Sequence, residues 1–193
     1  MLWEDFLKSD YHDWRGSGHS EDRLDKPGWL PQLLSIHNLP FPGAPSAEEL
    51  VELKRLRTHI LHIVQRSTAN ETASAVDLEG LNLAMSGGPM ILRIARSESG
   101  YSWESTPLRE GWSRIRAEVA TSFSRLLVEG EPSRLRICGN PDCKVVYYDE
   151  TRNRSKRFCD DKVCGNLMKV RRFRARQKSA ASDDSSFHGS TEY

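Results

Sequence analysis

Cys138-Gly-Asn-Pro-Asp-Cys143 and Cys159-Asp-Asp-Lys-Val-Cys164 hold all four cysteines of the chain, as two pairs with the same four-residue gap and fifteen residues between them. Gly139, Asn140, Pro141 and Asp142 are turn formers. Gly or Asn accepts a left-handed backbone and Pro fixes its own φ, so the chain can double back and aim two sulfurs at one point. The second gap opens a stretch of helical periodicity, so a helix start is expected to deliver the last sulfur. Between the pairs, Lys144 to Asp149 is β-prone, Thr151 to Ser155 is turn-like and Lys156 to Phe158 leads back to Cys159, which predicts a hairpin. A knuckle, a hairpin and a helix then converge on four thiolates. Such a donor set suits one tetrahedral Zn2+, and a closed all-sulfur shell leaves no position for chemistry, so the metal is read as structural. Cys138-Gly-Asn140 and Cys164-Gly-Asn166 repeat one tripeptide, whose unobstructed backbone N–H groups are expected to bond the sulfurs.

Two disulfides are the alternative. Disulfides belong mainly to oxidising compartments and to chains too small for a core. The opening residues, Met-Leu-Trp-Glu-Asp-Phe-Leu-Lys, have no apolar run behind a basic start, so no secretory signal is read and a cytoplasmic location is expected. No apolar run reaches the ~18 residues that a bilayer span requires.

At 193 residues the chain can hold one ordinary domain and a small appended one. The expected division is residues 1–133, a domain for ligand sensing or dimerisation; 134–178, the zinc module; and 179–193, a disordered tail around Asp183-Asp184-Ser-Ser. The module is too small to bury much apolar surface and needs its metal. A hydrophobic content of 37% and five tryptophans imply a core elsewhere. The formal net charge of +1 conceals an asymmetry: residues 134–178 carry fourteen basic and five acidic side chains, whereas residues 1–133 carry fourteen and nineteen. A basic module on an acidic body predicts a polyanionic partner for the module alone.

The first domain reads as mostly helical with a small β-hairpin, giving an α+β chain overall. Trp3, Phe6, Leu7 and Tyr11 are spaced for a short helix. His12, Asp13, His19 and Asp22 match no ligand or catalytic spacing and read as a polar loop. Leu24 to His37 predicts a second helix burying Trp29, Leu30, Leu33 and Leu34, and Pro40, Pro42 and Pro45 force a loop. Ser46-x-x-Glu49 is a capping box ahead of the stripe Leu50, Leu53, Leu56, Ile60, Ile63 and Val64. His59 and His62 fall outside that stripe and read as solvent-facing. A short helix over 76–86 turns Leu78, Leu81 and Met85 inward and stops at Gly87-Gly88-Pro89. Met90 to Ala95 and Tyr101 to Ser105 form a hairpin turning at Ser97 to Gly100. Leu108 to Glu129 is a long amphipathic helix through Trp112, Ile115, Val119, Phe123 and Leu126. Its short link to the zinc module would carry ligand-driven movement without a flexible tether.

After Cys164, Leu167, Val170 and Phe173 make a narrow stripe expected to pack on the module's hairpin. Lys169, Arg171, Arg172, Arg174, Arg176 and Lys178 have no acid between them, and Arg152, Arg154, Lys156 and Arg157 add to the charge. Such density repels itself unless a polyanion neutralises it, so these ten residues are the expected nucleic-acid contacts.

At these residues the sequence resembles the CGNR zinc finger family. The resemblance rests on Cys138-Gly-Asn-Pro-Asp-Cys143, Tyr148-Asp149, Thr151-Arg-Asn153, Arg157-Phe-Cys159, Cys164-Gly-Asn166 and Lys169-Val-Arg-Arg172. Upstream, Asp22-Arg-Leu-Asp25 and the Trp29-Leu30 helix look like the ABATE-type domain that accompanies this finger in bacterial proteins described as putative stress-induced transcription regulators. The resemblance implies a treble-clef-like finger with the four cysteines as zinc ligands, and a DNA-binding regulator. One position departs: Leu167 stands where the signature has arginine, on the apolar stripe, where zinc binding does not need it.

The leading expectation is a transcription regulator that binds DNA through its finger and senses a small molecule or forms a homodimer through its first domain. An RNA-binding protein is the alternative, with Tyr147, Tyr148 and Phe158 as stacking surfaces. An enzyme is disfavoured. The zinc module contains no histidine for a nuclease, and the first domain brings together no nucleophile, base and orienting group.

Overall fold

The computed structural model describes the backbone of residues 1–186 and the side chains of residues 1–179. Helix α1 (Leu2–Leu7) buries Trp3, Phe6 and Leu7 on one face. Tyr11, expected on that helix, lies instead in β1 (Asp10–His12), which pairs antiparallel with β2 (Ser20–Asp22). Asp22 then starts a 3-10 turn by accepting the Leu24 N–H at 3.1 Å, and α2 (Trp29–Ile36) buries Leu30, Leu33 and Leu34.

Helix α3 (Ala47–Thr68) begins at Ser46, and both bonds of the capping box form: the Glu49 N–H donates to Ser46 Oγ, and the Ser46 N–H to Glu49 Oε2. Two N–H groups that the helix cannot satisfy internally are thereby paired. Leu53, Leu56, Ile60, Ile63 and Val64 form its buried stripe. Helix α4 (Ala75–Ser86) buries Leu81 but leaves Leu78 42% exposed.

Strands β3 (Met90–Ser97) and β4 (Gly100–Pro107) pair along their whole length, with Ile94 opposite Trp103 and Leu92 opposite Ser105. The hairpin stands clear of the core. Helix α5 (Trp112–Glu129) packs Trp112, Ile115, Val119, Ala120 and Phe123 inward. Phe123 meets Trp3 edge-on with ring centroids 5.2 Å apart.

A 3-10 turn at Pro132–Arg134 carries the chain into β5 (Leu135–Ile137), whose partner is β6 (Val146–Tyr148). The predicted return strand at 156–158 does not form. The hairpin of the module is β5 with β6, and the knuckle is its connection. Leu135 and Val146 are buried in one cluster with Trp3, Phe6, Leu53 and Phe123, so the finger's hairpin is built into the core of the preceding helices.

One turn of wider helix (Asp161–Gly165) leads into α6 (Asn166–Ser186). That helix continues past residue 179, where the tail was expected to begin; residues 187–193 lie outside the described residues. The stripe on α6 does not pack as expected. Leu167 is half-buried, but Val170 is 43% and Phe173 58% exposed, because the hairpin they were to cover turns toward the core instead.

Asp22 ties these elements together. Arg57 of α3, itself almost buried, donates to both its carboxylate oxygens at 2.7 and 2.6 Å, and Lys54 lies 3.4 Å away. Burial alone would raise the Asp22 pKa, but the Arg57 hydrogen bonds and charge outweigh it and hold the carboxyl below its usual range. A depressed carboxyl contributes fully above the unfolded-state value and loses its contribution as pH falls through the folded one. Asp22→Asn should therefore cost about 1–3 kcal/mol in urea unfolding at neutral pH, by leaving the Arg57 charge without its partner. The difference from wild type should shrink toward pH 3; a difference that does not change with pH would contradict this role.

Candidate metal centre

Cys138 follows β5 directly, and its N–H donates to the Val145 carbonyl at 2.8 Å, closing the knuckle. The Cys143 N–H donates to the Asn140 carbonyl, and Lys144 with φ 54° turns the chain into β6. Cys164 comes from the wide turn before α6, whose start is capped by Asp160 Oδ1 accepting the Lys162 and Val163 N–H groups.

Cys159 ends a strandless loop built around Asp149. This fully buried carboxylate accepts the Thr151 N–H and hydroxyl and the Lys156 N–H. Burial would raise its pKa, but these bonds outweigh it and hold it below the ordinary value. Sequence reasoning missed Asp149, although Asp-x-Thr is a side-chain turn signal that could have disclosed it.

The four Sγ atoms lie within 4.8 Å of one another, with Cys143 to Cys159 at 3.6 Å and Cys159 to Cys164 at 3.9 Å. A disulfide needs sulfurs about 2.05 Å apart, and all four cysteines are free. A zinc tetrahedron with bonds of about 2.3 Å has sulfur–sulfur edges of about 3.8 Å, so the donor set fits zinc in type, number and spacing. Together they form a single zinc-binding site with a structural metal. Three of the cysteines are buried and Cys159 is half-buried.

The sulfurs need that cation. Hydrogen bonds from the Cys143 and Cys159 thiols bring Cys138 down to about 2, and the same sharing with Cys138 pushes Cys143 up to about 12 and raises Cys159 as well. Negative charges this close repel one another. A dication is what permits all four thiolates.

The outer shell meets the expectation in part: the Asn140 backbone N–H bonds the Cys138 sulfur. The Gly139 N–H donates to the Arg157 carbonyl at 2.8 Å rather than to sulfur, and a Cβ at 139 would come within 2.8 Å of that oxygen, so only glycine lets the two segments approach. Sulfur receives bonds from the Cys159 N–H, to Cys138, and from the Asn140 side chain, to Cys164. Asn140 is fully buried and also donates to the Trp14 carbonyl at 2.8 Å. Trp14 packs on the cysteine cluster, which brings the β1–β2 loop to the metal centre.

The ten basic residues fall into distinct groups. Arg171 is anchored, donating to Asp142 at 2.6 Å and to the Arg15 carbonyl at 2.8 Å, and Arg154 is paired with Glu131. Lys156 lies over the Tyr147 ring. Arg152, Arg157, Lys169, Arg172, Arg174, Arg176 and Lys178 are exposed and form no ion pair among the described residues. Of the aromatics considered for stacking, Tyr147 is buried, and Tyr148 and Phe158 are half-buried.

A closed four-thiolate centre where a knuckle meets a helix start defines a zinc-finger protein. Residues 134–177 match the CGNR zinc finger model, and residues 1–130 match the family described as putative stress-induced transcription regulator. The chain belongs to that regulator family. No curated protein matches it. Neither family is described as enzymatic, and no helix among the described residues is long and apolar enough to cross a membrane.

Protein purified without added metal should contain about one zinc per chain. Chelation, or Cys164→Ser, should shift tryptophan emission to the red as Trp14 loses its seat, with Trp14→Phe as the control. Zinc-free protein with unchanged emission would refute the site.

Proposed function

We propose that the protein is a cytoplasmic transcription regulator that binds duplex DNA through α6. The observation that carries this reading is the orientation that Arg171 gives the helix. At about 100° per residue, Lys169, Arg172, Phe173 and Arg176 cluster on the side opposite Arg171. With Arg171 turned to the body by Asp142, that cluster points outward, its cations unpaired among the described residues. A single exposed helix fits the major groove, where arginine and lysine read guanine and an apolar side chain such as Phe173 contacts a thymine methyl. Arg152 and Arg157, on the loop beside the zinc, are placed to hold phosphates. Reduced cysteine ligands accord with a cytoplasmic setting. Single-stranded RNA is the weaker reading, since its three stacking candidates are committed to internal packing: Tyr147 is buried, Tyr148 packs on the main core and Phe158 packs on the cysteine cluster.

Homodimerisation belongs to the same reading. On one face of the β3–β4 hairpin, Leu92, Ile94, Tyr101 and Trp103 are each 64–79% exposed. A lone two-stranded hairpin is marginal in water. Two aromatic side chains with neighbouring aliphatics offer several hundred Å2 per copy, the order of the ~800 Å2 per partner typical of stable complexes. A second copy stacking on this face would cover it and present two α6 helices to two half-sites.

Arg172→Glu with Arg176→Glu should weaken duplex binding by at least about tenfold and flatten the log affinity against log salt slope by about 2, while zinc content is unchanged. Binding that ignores both salt and these substitutions would overturn the reading. Trp103→Lys should yield monomers in analytical ultracentrifugation; a wild-type protein that is already monomeric at tens of micromolar would remove the dimer.

A further inference from the structure

Helices α3, α4 and α5 line an open cavity of about 450 Å3. Its polar lining is cationic. Arg55 comes from α3, Arg116 from α5 and Arg109 from the segment before α5, together with His59 and the Ser86 and Ser113 hydroxyls. Glu52 is the one carboxylate in the lining, and it is hydrogen-bonded to Arg55 at 2.8 Å. Arg109 and Arg116 have no acidic partner among the described residues, although Arg116 is half-buried. The contrast is with Arg114 two residues away, which finds Glu110 at 2.7 Å and Glu118 at 3.9 Å.

His59 is held against this wall rather than free in solvent, as the sequence had suggested; His62, beside it, is exposed. His59 Nδ1 lies 3.0 Å from Oδ1 of Asp77, a buried carboxylate of α4 that is also bonded to Ser74 and His62. Burial would raise the Asp77 pKa, but the Ser74 and histidine hydrogen bonds outweigh it and keep it ionised. With Nδ1 committed to Asp77, the Nε2 edge of the ring lies over Gly80, where any Cβ would come within 2.5 Å of Nε2. Gly80 thus makes the space in which this imidazole sits at the cavity wall.

We propose that the cavity binds a small dianion, a phosphate monoester or a dicarboxylate, and that this compound is the regulator's effector. Two unpaired guanidiniums supply forked donors matched to an oxyanion, and a half-buried guanidinium without a counter-ion is a cost that such a ligand removes. The volume admits a metabolite-sized molecule. The route to the finger is short: α5 runs into the Pro132 turn and β5, and the Ser67 hydroxyl of α3 donates to the Pro132 carbonyl at 2.9 Å. The effector role rests on the regulator reading, whereas binding does not.

Calorimetric titration of the zinc-loaded full chain with inorganic phosphate and with succinate, at matched ionic strength, tests the site. Saturable binding of one probe per chain is expected, and the probe that binds identifies the class. Arg109→Gln and Arg116→Gln should each weaken it at least tenfold with unchanged melting temperature. Arg172→Glu, on the finger, should leave it intact and so exclude phosphate held at α6. No saturable heat from either probe, or heat indifferent to both cavity substitutions, overturns the site. A DNA titration with and without the probe separates the two readings. Altered affinity supports the effector role and unaltered affinity removes it, while a chain that binds the probe but no DNA loses the regulator reading and keeps the site.

Discussion

Four sulfurs within 4.8 Å of one another cannot all be thiolates unless a cation sits among them. That constraint organises the last third of the chain. The knuckle, the Asp149 loop and the wide turn before α6 share no strand ladder. The only pairing in the module is the three-residue match of β5 with β6. So little backbone bonding cannot hold four chain segments together, and a metal of four strong bonds can. Cys164 as a ligand and Arg171 bonded to Asp142 together set the direction of α6, and with it that of the exposed cations on the helix.

The metal is not the only tie. Asn140 reaches from the knuckle to a sulfur on one side and to Trp14 on the other, and Arg171 bonds both Asp142 and the carbonyl of Arg15. The finger and the helical body therefore meet at two places, the β5–β6 hairpin in the core and the β1–β2 loop at the zinc centre. On the proposed reading, a shift of α5 on binding a compound between α3, α4 and α5 arrives at β5 within a single 3-10 turn.

Local signals were legible in the sequence, and long-range ones were not. The repeated Cys-x4-Cys gap disclosed the metal site, Ser46 with Glu49 disclosed the start of α3, and the turn formers from Ser97 to Gly100 disclosed the long hairpin. In each case the deciding interaction lies within a few residues, so composition and spacing record it. The partner of β6 was misassigned because strands of three residues carry almost no periodicity, and a buried Asp149 shapes the segment that looked like a return strand. Val170 and Phe173 read as a packing stripe because helical spacing says which residues share a face, not whether anything covers it. His59 read as solvent-facing because its partner, Asp77, lies eighteen residues away on another helix. Of the basic residues, only tertiary geometry separates Arg171, which fixes the helix, from Arg172, which faces outward.

An all-sulfur zinc is what holds the finger together, and X-ray absorption at the zinc edge of the purified protein addresses it directly. Four sulfur scatterers at about 2.3 Å and no lighter atom in the coordination sphere are expected. A nitrogen or oxygen in that sphere, or fewer than four sulfurs, would contradict the all-sulfur site.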